Sequence, residues 1–228
     1  MARIIVAAVN LWNERRYNHW IANGEHTTRF IGELSELTPQ VVSEFGPDYI
    51  FFPHWSWKIP APIYENHECI VFHMTDLPFG RGGSPLQNLI LRGIHETQVS
   101  ALRVVEAMDA GPIYLKRPLC LRGSAEEIYL RASELVFQMM NEILDQRPAP
   151  VPQSGPVVEF KRRTPAESEI PPRNDLMALY DFIRMLDAED YPSAFLAHEG
   201  FRYEFTRATL RDGYIAADVR IVPIEKAK

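Results

Sequence analysis

Residues Val71–Gly93 read VFHMTDLPFGRGGSPLQNLILRG, and this stretch decides the architecture. The apolar run that leads into it, ECIVF (Glu68–Phe72), has the look of a strand buried on both faces. It stops at His73. A loop with Pro78, Gly80, Gly82 and Gly83 follows. Ser84-Pro85-Leu86-Gln87 then has the form of a capping box with proline at the first helical position, and Gly93 closes that helix. Strand, glycine loop and helix start are the punctuation of an open α/β sheet. In such sheets ligands collect beyond the carboxyl ends of the strands, where His73 stands.

Working outward, the same alternation repeats. RIIVAAV (Arg3–Val9), DYIFFPHW (Asp48–Trp55), TQVSALRVV (Thr97–Val105) and AGPIYLKRPLCL (Ala110–Leu121) read as strands. The polar, aromatic segment from Asn10 to Phe30 predicts a loop and a short helix. Thr38-Pro39 opens a helix that Gly46 ends, and IPAPIYENH (Ile59–His67) predicts a short helix or turn. Ser124-Ala125-Glu126-Glu127 is a second capping box. It opens a helix that carries Ile128, Ala132, Leu135, Val136, Met139 and Ile143 on one face. The pattern breaks at RPAPVPQSGP (Arg147–Pro156), whose four prolines mark a linker or an extended crossing segment. A strand-like then basic stretch follows (Pro156–Ser168), then an amphipathic helix (Asn174–Leu186). Two or three antiparallel strands with Gly and Asp-Gly turns complete the pattern (Ser193–Val222). The expected fold class is α/β. It has an open, mostly parallel twisted sheet with flanking helices over residues 1–147, and a linker, helix and small β-rich subdomain over 148–228.

Composition narrows the function. A formal charge of −6 over 228 residues argues against a general nucleic-acid-binding surface. Cys69 and Cys120 lack metal-ligand spacing and are expected to be two buried free thiols. No run of 18 apolar residues occurs, and MARIIVAAVN is a strand rather than a signal segment, so the expectation is a soluble cytoplasmic protein.

Each chemical candidate has a bland reading beside a sharp one. His73 is either a core histidine satisfied by a carbonyl or the proton-handling group of a site. Gly80, Gly82 and Gly83 either relieve positive φ or let a ligand approach the backbone at the start of the Ser84 helix. Their loop, GRGG, is not a phosphate-binding G-x-G-x-x-G. Asp109, in MDAGPI (Met108–Ile113), is ordinary turn chemistry taken alone. Taken with His73 it can form an imidazole–carboxylate pair, which orients the ring and stabilises its protonated form.

HMTDLP, GRGGSPLQNLILRG and MDAGPI, in that order and spacing, resemble the folate-dependent formyltransferases. That family includes the methionyl-tRNA, glycinamide ribonucleotide and sugar-nucleotide enzymes. The likeness runs from Asp48 to Leu144. It continues through EFKRRTPAESEI and LYDFIRMLDAEDYPSAF, which look like the tail of the tRNA and sugar-nucleotide branches. One departure stands out: the family places an asparagine two residues before the histidine, and here that residue is Val71.

The resemblance implies formyl transfer from 10-formyltetrahydrofolate to an amine, without a metal. His73 would manage the oxyanion and the proton, Asp109 would support it, and Thr75 is the expected substitute for the donor missing at Val71. A backbone N–H near Phe79 or a water is the alternative donor. The pterin would lie against Trp57, Lys58 and Ile59 and the backbone of Val105, Glu106 and Ala107. Asn10, Asn13, Arg15, Arg16, Arg81, Gly82 and Gly83 are the expected acceptor-side residues. Low net charge and short length favour a nucleotide-linked aminodideoxy sugar, with a lean to UDP, over tRNA. A membrane role is not expected, and a homodimer is left open. Val71 keeps two further readings open: a silent folate- or nucleotide-binding module, and a hydrolase releasing formate from formyl-folate.

Overall fold

The computed structural model describes residues 1–22, 24–172, 175–189 and 191–224. In chain order the first elements are β1 (Arg3–Ala8), α1 (Leu11–Ile21), β2 (Thr27–Ile31), α2 (Pro39–Phe45) and β3 (Tyr49–His54). Then come α3 (Ala61–Tyr64), β4 (Cys69–His73), β5 (Phe79–Gly82), α4 (Pro85–Leu91), β6 (Glu96–Arg103) and β7 (Ile113–Cys120). The chain continues with α5 (Ala125–Gln146), β8 (Val158–Phe160), α6 (Leu176–Arg184), β9 (Ala194–His198), β10 (Phe201–Arg211) and β11 (Tyr214–Pro223). Two compact units result, both discontinuous in sequence. Residues 1–82, 97–119 and 130–159 make the first, and residues 83–96, 120–129 and the chain from Phe160 onward make the second.

The first unit is built on a six-stranded sheet of order β2-β1-β3-β4-β6-β7. Strands β1 to β4 run parallel, and β6 runs antiparallel to β4. Continuous apolar runs supply the centre: Ile4 to Ala7, Ile50 to Phe52 and Cys69 to Ile70 are buried. Thr38 caps α2 by accepting the Val41 N–H, and Gly46 ends that helix at φ +59, as its sequence predicts.

The segment after β1 holds the expected helix, α1, 11 residues long, but also β2, a strand the sequence hides. Both lack a strong apolar signal for a physical reason. In TTRFI only Ile31 is buried, as suits a strand at the sheet edge. Helix α1 buries only Asn13 and Tyr17. Cys69 is buried, and that burial, with a smaller push from Glu68, raises its thiol to about 12; Cys120 is exposed, contrary to expectation.

The second unit includes α4, α6 and a three-stranded antiparallel sheet of order β11-β10-β9. Its turns are the two-residue loops Glu199-Gly200, with φ +47 and +82, and Asp212-Gly213. The Ser124 capping box forms: the Ser124 N–H donates to Glu127 Oε2 at 2.8 Å and the Glu127 N–H to Ser124 Oγ at 3.3 Å. The Ser84 box does not. Ser84 sits at φ +49 and its hydroxyl accepts from the Arg163 N–H at 3.0 Å. The Gln87 amide meanwhile reaches the Met185 carbonyl at 3.0 Å and the Tyr129 hydroxyl at 3.2 Å. Tertiary partners have taken both side chains that local capping would use. The expected helix over 174–186 is Leu176–Arg184; Asn174 lies outside the described residues. Among the described residues no helix is long and apolar enough to cross a membrane.

Candidate active site

Strand β4 delivers His73. Side chains alternate along a strand, so Val71 and His73 share a face while Phe72 turns away. Val71 packs against the core formed by Ile5, Phe52, Ile59 and Cys69. Where the resemblance expects an amide donor, the structure has a packing residue.

The His73 ring is held at one nitrogen and faces a carboxylate with the other. Nε2 lies 2.7 Å from the Gly80 carbonyl oxygen, and Nδ1 lies 3.7 Å from Asp109 Oδ2. A carbonyl only accepts, so Nε2 carries a hydrogen. Nδ1 then faces a carboxylate across a gap too long for a hydrogen bond. It is the ring atom at which a proton can be gained or lost. Both side chains are largely sheltered, at 9% and 11% exposure. One nitrogen is thus satisfied by a carbonyl and the other makes no hydrogen bond to Asp109.

The loops around the pair are held by specific bonds. Asp109 occupies the left-handed region at φ +51, and its Oδ2 accepts the Gly82 N–H at 2.8 Å. Gly82 sits at φ +102, a conformation that favours glycine. Gly111 is required for space, because a Cβ there would stand 1.8 Å from the Arg103 carbonyl oxygen. The side chain of Gln153 ties the loops together. Its amide nitrogen donates to the carbonyls of Asp109 and Gly111 at 2.7 and 2.8 Å, and its Oε1 accepts from Arg81 Nε and Nη2 at 3.1 and 2.8 Å. Lys116 pins the other side of the histidine loop, reaching Asp76 at 2.5 Å and the Leu77 carbonyl at 2.6 Å.

Burial overturns the expected roles of Thr75 and Asn13, and the other polar candidates are placed as follows. Thr75 is fully buried and its hydroxyl donates to the Gly80 carbonyl at 3.3 Å, so it braces the loop behind His73 and does not offer a donor to a ligand. Asn13 is buried, bonded to the Val9 carbonyl at 3.0 Å and to Ser133 at 2.8 Å, and acts as a strut for α1. Arg16 pairs with Glu134, and Arg15 is exposed. Arg81 is engaged by Gln153. Gly83 belongs to the second unit, where its N–H donates to the Phe160 carbonyl at 3.1 Å and a Cβ would fall 2.5 Å from that of Arg162. That glycine serves chain packing.

The remaining candidates follow three strands: Asn10 comes after β1, Trp57 to Ile59 after β3, and Val105 to Ala107 after β6, which runs antiparallel to β4. Asn10, at φ +78, follows β1, and its Oδ1 is a buried acceptor with no partner among the described residues. Trp55 follows β3, and its Nε1 is a buried donor in the same condition. Trp57 is 42% exposed and meets Trp55 edge to face at 4.9 Å. Lys58, Glu106 and Ala107 are exposed and Val105 is half-buried. The Ile59 side chain is core, leaving only its backbone for a ligand. Among the described residues no cluster of His, Cys, Asp or Glu could hold a metal. The depression lined by Asp48, Tyr49, Glu68, Arg103 and Arg147 sits at the amino ends of the parallel strands and is no part of this site.

The site comprises a histidine at the end of a parallel strand facing an aspartate from a tight turn, in an open α/β sheet. Comparison with known proteins places the chain in a family. Residues 165–222 match the methionyl-tRNA formyltransferase C-terminal domain. A solved structure described as methionyl-tRNA formyltransferase from Clostridium thermocellum is 49% identical, with 98% of this chain and 100% of that chain covered and a TM-score of 0.96. The methionyl-tRNA formyltransferase of Thermus thermophilus is 27% identical over 184 residues, 78% of this chain and 57% of its own length. A sugar N-formyltransferase from a Shewanella species shares the fold at a TM-score of 0.70 and 14% identity, with both chains covered in full. The chain belongs to the formyltransferase family. It spans little more than half the length of the curated relatives it matches.

Proposed function

We propose that this chain transfers a formyl group from 10-formyltetrahydrofolate to the amine of a nucleotide-linked aminosugar. The observation that carries the reading is the pairing of an open His73 Nδ1 with Asp109 beside a braced glycine loop. In this reaction the amine nitrogen attacks the formyl carbon and a C–N bond forms. The bond from that carbon to N10 of the folate breaks, and the proton lost by the amine goes to N10. His73 takes that proton at Nδ1 and returns it to the leaving nitrogen; Asp109 stabilises the imidazolium in between. Val71 and Thr75 offer no donor to the developing oxyanion, so the protonated imidazole carries that duty as well. Asn10 Oδ1, unpartnered and buried beyond β1, suits an N–H of the acceptor amine.

The choice of acceptor rests on charge. In the C-terminal sheet Arg202 and Arg220 both engage Glu204, and Arg207 engages Asp218. These arginines are neutralised by carboxylates and do not present the broad basic face that binding RNA requires. The fold shared with a sugar N-formyltransferase supports the same reading. Methionyl-tRNA is the competing acceptor, because the relative at 49% identity carries that name. The test offers 10-formyltetrahydrofolate with UDP-, dTDP- and GDP-linked aminosugars and, separately, methionyl-tRNA, and follows product mass and free formate. A formylated sugar, UDP-linked first, is expected. Formylated methionyl-tRNA alone, or formate without any formylated amine, would overturn the reading.

A further inference from the structure

A cavity lies at the end of the central sheet opposite His73. It holds about 500 Å³, room for a nucleotide-sized molecule and far more than a single ion needs. All of its lining residues belong to the first unit. Tyr49 opens β3, Glu68 precedes β4, and Arg103 ends the antiparallel β6, so the cavity sits at the amino ends of the parallel strands. His73 stands at the carboxyl end of β4 and takes no part in it.

Arg147 is the unusual residue of the lining. Its N–H closes α5 on the Ile143 carbonyl at 2.9 Å, and its backbone is left-handed at φ +46. Glycine is the usual occupant of such a helix end, because a Cβ is strained there. An arginine in that conformation sets a cation on the cavity wall. Among the described residues its side chain has no ion pair and no hydrogen bond. The neighbouring cation is different: Arg103 engages Glu68 through Nε and Nη2, and its Nε also reaches the Tyr114 hydroxyl. One guanidinium of the cavity is neutralised and the other is free to take an anion.

The remaining lining supplies a hydrogen-bond acceptor and flat walls. Asp48 Oδ2 accepts the Arg3 N–H at 2.8 Å, and its Oδ1 takes no hydrogen bond among the described residues. An ionised carboxylate only accepts, so Oδ1 selects a ligand N–H or O–H. The Tyr49 ring is held flat by stacking on Phe51, with centroids 5.7 Å apart and planes 5° apart, and the rings of Pro148 and Pro150 add further apolar wall. A lone carboxylate acceptor, flat apolar walls and one free guanidinium complement a planar ring that carries an amino group and a single anionic tail. We propose that this cavity binds a nucleoside monophosphate whose base bears an amino group, with that group on Asp48 and the phosphate on Arg147. The site is separate from the formyl-transfer site and does not depend on which acceptor that site uses.

The test is calorimetric titration of the whole chain with AMP at low ionic strength, which requires no turnover. AMP is expected to bind with a dissociation constant below about 1 mM. Inorganic phosphate and adenosine, each offering part of the contacts, should bind at least about tenfold more weakly, and purine riboside 5′-monophosphate, which lacks the amino group, should also bind more weakly than AMP. Arg147→Gly is the decisive variant. Glycine suits φ +46, so the melting temperature should equal or exceed that of wild type, while affinity for AMP falls at least about tenfold. No binding of AMP up to about 1 mM, an affinity unchanged by Arg147→Gly, or phosphate or purine riboside 5′-monophosphate binding as tightly as AMP would overturn the proposal.

Discussion

Two sheltered clusters of ionisable side chains invite comparison: His73 with Asp109 in the first unit, and Glu204 with Arg202 and Arg220 in the second. Glu204 is saturated. Burial alone pushes its carboxyl up, but hydrogen bonds from Arg220 (2.7 Å) and Arg202, with their charges, outweigh that push and hold it below the usual carboxylate range. His73 is left with one nitrogen bonded at 2.7 Å and the other 3.7 Å from its carboxylate. A saturated group fixes structure, because moving its proton breaks every bond at once. A group with one unmade bond can pass a proton without undoing the fold. The contrast is the geometric basis for assigning Glu204 to structure and for proposing His73 for catalysis.

The comparison breaks most sharply at His73. His73→Asn should leave a folded protein whose turnover falls by roughly 10²–10⁴. Near wild-type turnover would remove His73 from the chemistry. Gln153→Leu comes next. It deletes the bonds that hold the Asp109 and Gly111 carbonyls and Arg81, so turnover should fall about ten- to a hundredfold through misplacement of Asp109. A change confined to thermal stability would make Gln153 a strut only.

On the structural side, Glu204→Gln should destabilise the fold at neutral pH and leave turnover per folded molecule unchanged. The pH dependence has a definite sign. A carboxyl held low in the folded state stabilises while ionised, so its contribution is whole above the unfolded value of about 4.3 and fades as pH falls through the lower folded value. Melting temperatures of wild type and Glu204→Gln should therefore converge in acid. A constant gap from pH 7 down to pH 2 would contradict the assignment. The smallest effect is expected at Thr75. Thr75→Val removes one buried hydroxyl bond to the Gly80 carbonyl, at about 0.5–1.5 kcal/mol of stability, and should change turnover by less than about threefold. A large kinetic loss in folded protein would return Thr75 to the site.

The central sheet was legible in the sequence because β1, β3 and β4 are buried on both faces and spell continuous apolar runs. Strand β2 was not, since an edge strand need bury only one of its five residues. His73 and Asp109 were legible as an ordered pair of turn signals that resembles a known family. Gln153 was invisible. It lies in a proline-rich crossing segment, and nothing local marks a glutamine whose partners are 42 to 72 residues away. Thr75 and Asn13 were overread for the opposite reason. Polar residues beside a candidate site look like ligand contacts until burial shows their bonds spent on the backbone. Gly82 and Gly83 are neighbours with the same sequence signature. Yet one turns an amide to Asp109 and the other makes room for Arg162, a distinction only tertiary structure draws.

The most direct test of the catalytic assignment follows the carbon itself. 10-Formyltetrahydrofolate labelled at the formyl carbon is incubated with the nucleotide-linked aminosugar that gives product, using wild-type protein and His73→Asn in parallel. The expected result is label on the sugar nitrogen with wild type, lost by a factor of at least about 10² with the variant. Label appearing on the sugar at equal rates with both proteins, or appearing only as formate with wild type, would contradict the account.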